Sequence, residues 1–137
     1  MSKFVLDCSI AAAWCFEDET SEVTDSLLER VRDHGAVVPS LWFLEITNVL
    51  LQAERRNRIT ASDATTQLEL LRLLPISVEH STQVKAFNSI ITLARIEGLT
   101  SYDAAYLELA IRQGLPLATL DKRLAQAAKN ANIEVLP

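Results

Sequence analysis

The 137-residue chain, 49% hydrophobic with only three glycines and four prolines, is sized for one domain (1–137) with an ample core and little disordered linker. No stretch reaches the roughly 18 uninterrupted apolar residues that a membrane-spanning helix needs. The opening Met1-Ser2-Lys3-Phe4-Val5-Leu6 is too short an apolar stretch for a signal peptide, so the expectation is a cytoplasmic protein. A net charge of −5 argues against coating nucleic acid through bulk electrostatics, though not against an enzyme that handles nucleic acid locally.

Lys3 to Asp7 reads as a buried strand, because short continuous apolar runs belong in parallel sheets covered on both faces. Ser9 to Phe16 has the look of a short helix. Thr20 and Ser21 are N-cap candidates for a longer one through Val31, with Val23, Leu27, Leu28 and Val31 at helical spacing and Gly35 to end it. Ala36-Val37-Val38 is a second strand, and Pro39 starts the turn into a helix that carries Glu45. Thr60-Ala61-Ser62-Asp63 resembles a capping box that opens a helix through Leu74.

Ile76-Ser77-Val78 is a third strand. Ser81 caps a helix through Ile96, stopped by Gly98, and another helix runs from about Ser101 to Arg112, stopped by Gly114. Leu117 to Leu120 is a fourth strand, Asp121 starts a last helix, and Ile133 to Leu136 is a final strand. Strands separated by helices predict an α/β three-layer sandwich, with a central, mostly parallel sheet of four to five strands flanked by helices. Sites in such sheets form at the carboxyl ends of strands.

Cys8 and Cys15 are two helical turns apart, too far for a disulfide and unlike a zinc-binding pair, and read as small apolar residues. His34 and His80 sit at a helix end and a helix start, and no histidine-based catalytic arrangement is visible. Arg55-Arg56-Asn57-Arg58 and Lys122-Arg123 are compact basic clusters, most simply helix-end and solvated charges.

Four acids stand out against this background. Asp7 closes the first apolar run, Asp121 follows the fourth, Asp103 lies in Leu99-Thr100-Ser101-Tyr102-Asp103-Ala104-Ala105-Tyr106-Leu107, and Glu45 interrupts Leu41-Trp42-Phe43-Leu44-Glu45-Ile46. A carboxylate among apolar residues is costly to bury unless paired or bound to a metal, and no matching cation lies nearby in sequence. Taken singly, Asp7, Asp103 and Asp121 are each most simply helix caps or first-turn acids. Glu45 resists that reading because it is mid-helix, on a polar stripe with Asn48 and Gln52 that is either solvated or lines a cleft. Asp103 shares its helix face with Tyr106, Leu107 and Ala110, which should face the core. Together the four suit Mg²⁺ or Mn²⁺, which prefer oxygen ligands, and such a cluster suits phosphodiester hydrolysis by metal-activated water. Ser9 and Thr119 are hydroxyls placed to bond these carboxylates or a bound phosphate, although a helix-start serine and an ordinary strand threonine are the simpler descriptions.

Four blocks resemble PIN-domain ribonucleases, and more narrowly the VapC toxins of type II toxin–antitoxin pairs. They are Phe4-Val5-Leu6-Asp7-Cys8-Ser9, Pro39 to Leu50 with Glu45 and Asn48 in register, Leu99 to Leu107, and Leu117-Ala118-Thr119-Leu120-Asp121-Lys122-Arg123-Leu124. The resemblance covers nearly the whole chain. It implies a PIN-like fold and a Mg²⁺- or Mn²⁺-dependent endoribonuclease, with Asp7, Glu45, Asp103 and Asp121 holding the metal and Asp7 and Asp103 as the closest ligands. It further implies RNA as substrate, a homodimer, and a cognate antitoxin that wraps the toxin and blocks the site.

Two other classes remain in view. A phosphoacceptor receiver domain also gathers carboxylates at strand ends, but wants adjacent acids after its first strand, where Cys8 follows Asp7 here. A non-catalytic interaction domain would use its acids only as caps. Trp14, Phe16, Trp42 and Phe43 exceed what a small core needs, so some are expected at a dimer or antitoxin surface.

Overall fold

The computed structural model describes residues 3–137; Met1 and Ser2, where the opening segment begins, lie outside them. Five strands form one parallel sheet in the order β3-β2-β1-β4-β5: β1 (Phe4–Leu6), β2 (Ala36–Pro39), β3 (Ile76–Glu79), β4 (Leu117–Ala118) and β5 (Val135–Leu136). The order is not the 2-1-3-4-5 of receiver-type sheets, which removes that reading. β1 sits at the centre, with Phe4 opposite Ala36 and Val5 opposite both Val37 and Leu117. Every residue of β1 and β2 is buried, as continuous apolar runs in a doubly covered sheet require.

The helices are α1 (Cys8–Cys15), α2 (Glu22–His34), α3 (Leu41–Arg55), α4 (Ala61–Arg72), α5 (Thr82–Lys85), α6 (Ile91–Glu97), α7 (Ser101–Gln113) and α8 (Lys122–Asn130). A π-helical segment, Ala86–Ile90, joins α5 to α6. From β1 the chain moves outward through β2 to β3, then returns past β1 to β4 and β5. Right-handed crossovers therefore put α1–α4 on one face and α5–α8 on the other. The packing agrees, since α1 meets α2 and α3, α3 meets α4, and α7 meets α6 and α8. The reversal of direction leaves a switch point between β1 and β4, where ligands of open α/β sheets bind.

Local chemistry explains most boundaries. Ser21 and Thr24 close a capping box on α2, and Thr60 and Asp63 close the expected one on α4. Several boundaries differ from expectation. The fourth and fifth strands are shorter, ending at Ala118 and starting at Val135, so Thr119 and Leu120 follow β4 rather than belong to it. α4 stops at Arg72 rather than Leu74. Ser81 precedes α5 without a side-chain cap bond, because its hydroxyl donates to Glu79 instead. The aromatic expectation is also corrected in part. Phe16 and Trp42 are core residues, Trp14 is half-buried with its indole N–H donating to Thr24 O at 2.7 Å, and of the four Phe43 alone is exposed.

Gly35 turns α2 into β2 at φ 79° and ψ 172°, a region open almost only to glycine, and a Cβ there would lie 3.0 Å from Pro75 O. Gly35→Ala is expected to destabilise the fold by about 1–3 kcal/mol. Urea unfolding checks it: the midpoint should fall with the slope unchanged. An unchanged midpoint would mean that the turn relaxes freely.

Candidate metal centre at the sheet's carboxyl edge

Asp7 directly follows β1 and is 5% exposed. It occupies the N-cap position of α1, yet its side chain makes no cap bond. Its Oδ2 instead accepts two hydroxyl bonds, from Ser9 Oγ at 2.7 Å and from Thr119 Oγ1 at 2.7 Å. Both hydroxyls are oriented by backbone donors. Leu120 N donates to Ser9 Oγ at 2.9 Å and Asp121 N donates to Thr119 Oγ1 at 3.0 Å. A hydroxyl has one proton, so each Oγ that accepts an amide is left to give its proton to Asp7. Oδ2 is thereby held by two hydroxyls, while among the described residues no side chain bonds Oδ1. Burial pushes the Asp7 carboxyl above its ordinary range, and the two hydroxyls, with the backbone amides of Cys8 and Ser9, offset this only in part.

Asp103 is the third residue of α7. Thr100 caps that helix by accepting from Asp103 N at 3.1 Å. The same T-x-x-D pattern opens α4, where the reciprocal bond also forms, Thr60 N donating to Asp63 Oδ2 at 3.0 Å. Among the described residues no such return bond engages the Asp103 carboxylate. The two aspartates diverge accordingly: local bonds lower Asp63, whereas burial and then the charges of Asp7 and Asp121 push Asp103 up to about 6. Asp103 is thus held near other acids rather than used as a cap.

Glu45 projects from mid-α3 and is half-buried. Its Oε1 accepts the Tyr106 hydroxyl at 2.5 Å, from α7 on the other face of the sheet. Burial raises the Glu45 carboxyl, the Tyr106 hydroxyl opposes this, and the charges of Asp7 and Asp103 add to it. Asn48 and Gln52 do not continue the site. They bond each other at 3.5 Å and line a separate groove with Ala53, Arg56 and Arg58, which corrects the idea of one polar stripe lining one cleft.

Asp121 is a true cap of α8, its Oδ1 accepting from Leu124 N at 2.8 Å, and it still acts on Asp103 electrostatically. Asp121 caps α8 with its side chain, whereas Asp7 holds the N-cap position of α1 and Asp103 the first turn of α7 without such a cap bond. The Ser9 and Thr119 hydroxyls both donate to the Asp7 carboxylate. Tyr106 is the site residue that sequence reasoning assigned only to the core. The signal was available, since a buried phenol needs an acceptor and Glu45 needed a donor.

Glu108, the other buried acid, provides a contrast. It pairs with Arg112 through bonds of 2.8 and 3.1 Å, and Arg112 also reaches Glu79 at 2.9 Å. Among the described residues no cation contributes to the environment of Asp7, Glu45 or Asp103. Arg58 stacks over Phe16 at 3.9 Å and bonds Asp18 and Glu19, while Arg55, Arg56, Lys122 and Arg123 are exposed, so the basic clusters behave as ordinary surface charge. Buried Cys8 and Cys15 are free thiols pushed up to about 12 and about 11, chiefly by burial, and are unreactive.

The donor set fits a hard divalent cation, being all oxygen, mutually repulsive and lacking an internal counter-charge. Among the described residues no three of the Asp, Glu, His or Cys side chains close around one ion as they stand. The four acids form an electrostatic cluster rather than a closed cage. Mg²⁺ commonly takes only one or two protein carboxylates and keeps waters or substrate oxygens, which an open cluster allows.

Comparison with known proteins identifies the family and the fold. The sequence profile of the PIN domain matches residues 4–130. The chain is 30% identical over 124 residues to Ribonuclease VapC3 of Pyrobaculum aerophilum, spanning 90% of this chain and 93% of that one. The crystal structure of PAE2754 from Pyrobaculum aerophilum superposes with a TM-score of 0.70 at 22% identity, over 92% of this chain and 84% of that one. That of FitAcB from Neisseria gonorrhoeae does so with 0.67 at 14% identity, over 97% and 96%. The chain belongs to the PIN-domain family and, within it, to the VapC group. Among the described residues no helix is long and apolar enough to cross a membrane.

Proposed function

We propose that this chain is a metal-dependent endoribonuclease, the toxin of a type II toxin–antitoxin pair, acting in the cytoplasm with Mg²⁺ or Mn²⁺ held by Asp7, Glu45, Asp103 and Asp121. The observation that carries this reading is the convergence of uncompensated carboxylates at the switch point between β1 and β4. The relative named Ribonuclease VapC3 supports RNA as the substrate. A bound divalent ion supplies Lewis acidity toward the phosphate and lowers the pKa of water.

The protein's own groups set up that chemistry. Ser9 and Thr119 fix one oxygen of Asp7 and leave the other to ligate. Asp103, free of capping duty, supplies a second carboxylate from the opposite wall. Glu45 offers the oxygen that Tyr106 does not hold. Asp121 spends one oxygen on Leu124 N and adds negative charge with the other. An antitoxin that brings a basic side chain to this cluster would supply the counter-charge it lacks and block RNA. Exposed apolar side chains such as Phe43, Leu73 and Phe87 are candidates for antitoxin and homodimer contacts.

The test is incubation of the purified protein with assorted structured RNAs in Mg²⁺, Mn²⁺ or EDTA. Cleavage is expected with either metal and not in EDTA, with inhibition by the cognate antitoxin and elution of the free protein as a dimer. Cleavage that persists in EDTA, or none in either metal, would refute the proposal.

A further inference from the structure

We propose that Tyr106 is a positioning residue for Glu45: its buried hydroxyl holds one carboxylate oxygen and leaves the other as the ligand. The inference rests on the metal-site reading above and goes beyond it by assigning a residue outside the acidic set.

Tyr106 is 0% exposed and lies in the run from Ala104 to Ala110 of α7, every residue of which is buried. A phenylalanine would supply nearly the same packing, so the hydroxyl is what requires explanation. Burying a phenol without a partner is costly, and this one finds its partner on another element, 61 residues away in sequence. The geometry also suits the needs of Glu45. A glutamate in the middle of a helix has three rotatable bonds and no backbone amide to steady it. Here a rigid aromatic lever, fixed by α7, sets the carboxylate of a side chain carried by α3.

The same device operates on Asp7, whose Oδ2 is held by Ser9 and Thr119. In both cases one oxygen is engaged by a hydroxyl and one remains. Hydroxyls donate to carboxylates without adding positive charge, so they orient these acids while preserving the negative field that attracts a cation. A Lys or Arg in the place of Tyr106 would orient Glu45 equally well and compete with the metal. Partners that orient metal ligands in this way typically affect metal affinity by about 10–100-fold.

Mn²⁺ titration by calorimetry tests the assignment on wild type, Tyr106→Phe, Glu45→Gln, Ser9→Ala and the doubles Tyr106→Phe/Glu45→Gln and Tyr106→Phe/Ser9→Ala. Tyr106→Phe is expected to weaken Mn²⁺ binding about 10-fold. With Glu45→Gln already present the same change should cost less than about twofold, because its target is gone, whereas with Ser9→Ala the full loss should persist. Wild-type affinity in Tyr106→Phe, or an equal loss in the Glu45→Gln background, would overturn the assignment. Should Tyr106→Phe not fold, Glu45→Asp carries the test. It withdraws the carboxylate from the hydroxyl and is expected to bind as weakly as Glu45→Gln; wild-type binding by Glu45→Asp would overturn the assignment. If wild type itself binds no Mn²⁺, or Asp7→Asn leaves binding unchanged, it is the metal-site reading that fails, and the role of Tyr106 fails with it.

Discussion

Asp103→Asn is expected to lower Mg²⁺-dependent RNA cleavage by about 100-fold or more, while Asp63→Asn leaves it unchanged. The two aspartates occupy the same local position, third in a helix capped by a threonine three residues before. Asp63 spends its carboxylate on Thr60 N, in an exposed capping box. Asp103 forms no such bond and sits in the field of Asp7 and Asp121. The amide keeps the shape and removes one charged ligand. Metal assistance supplies several kcal/mol of charge stabilisation, and a loss of about 2.7 kcal/mol is already about 100-fold in rate. Initial rates on a cleaved RNA at saturating Mg²⁺ decide it. Equal rates for wild type and Asp103→Asn would remove Asp103 from the site. A large loss in Asp63→Asn would show that helix capping, not metal binding, governs activity.

This pair of residues also shows what the sequence could and could not carry. The elements were legible because apolar runs, caps and glycines each act locally: Ser21, Gly35, Thr60, Gly98 and Gly114 mark helix boundaries where local chemistry predicts them. The ends of β4 and β5 were not; Thr119 keeps a backbone bond to Leu136 O, while its side chain turns to Asp7 and Asp121 N, partners that no local rule contains. Thr60-x-x-Asp63 and Thr100-x-x-Asp103 are indistinguishable as motifs. What separates them is the presence of Asp7 and Asp121 beside the second, a consequence of strand order.

The acidic set was legible as four candidates because apolar context makes each carboxylate conspicuous. Their gathering at one edge depends on the reversal of direction between β3 and β4, which sequence periodicity does not encode. Glu45 failed to fit any capping role, and that misfit was the strongest local reason to propose it as a site residue. Its tie to Tyr106 crosses from α3 to α7 and could be anticipated only by asking where a buried hydroxyl and an unpaired acid each find a partner. The stripe through Asn48 and Gln52 was misleading because helical spacing places residues on a side of a helix, not at a particular depth along the groove.

The second large effect is one of sign. In EDTA, Asp103→Ala is expected to be more stable than wild type at pH 7, and the difference is expected to vanish near pH 4. A simple first-turn or capping acid would behave in the opposite way, its loss costing about 1 kcal/mol, or roughly 4 °C in Tm for a domain of this size. The Asp103 carboxyl rises in the folded state from 3.8 to about 6, through burial and through the charges of Asp7 and Asp121. The native state therefore holds this proton more tightly than the unfolded chain does. Between pH about 4 and about 6 the native state carries the extra proton, so wild-type stability falls as pH rises through that window. Asp7 and Glu45, also raised by burial, push in the same direction. Asp63 and Glu79, lowered by their hydrogen bonds, push the other way in both proteins and cancel in the difference. Adding Mg²⁺ at pH 7 replaces repulsion by ligation, so wild type should gain stability as ligand binding to the native state dictates, about 2.7 kcal/mol at 100 times the dissociation constant. Asp103→Ala should gain much less. Thermal melts of both proteins across pH 4–7, in EDTA and in Mg²⁺, measure all of this together. A variant that is less stable than wild type at every pH, with an undiminished Mg²⁺ response, would make Asp103 a capping residue of α7 and leave the cluster without its second wall.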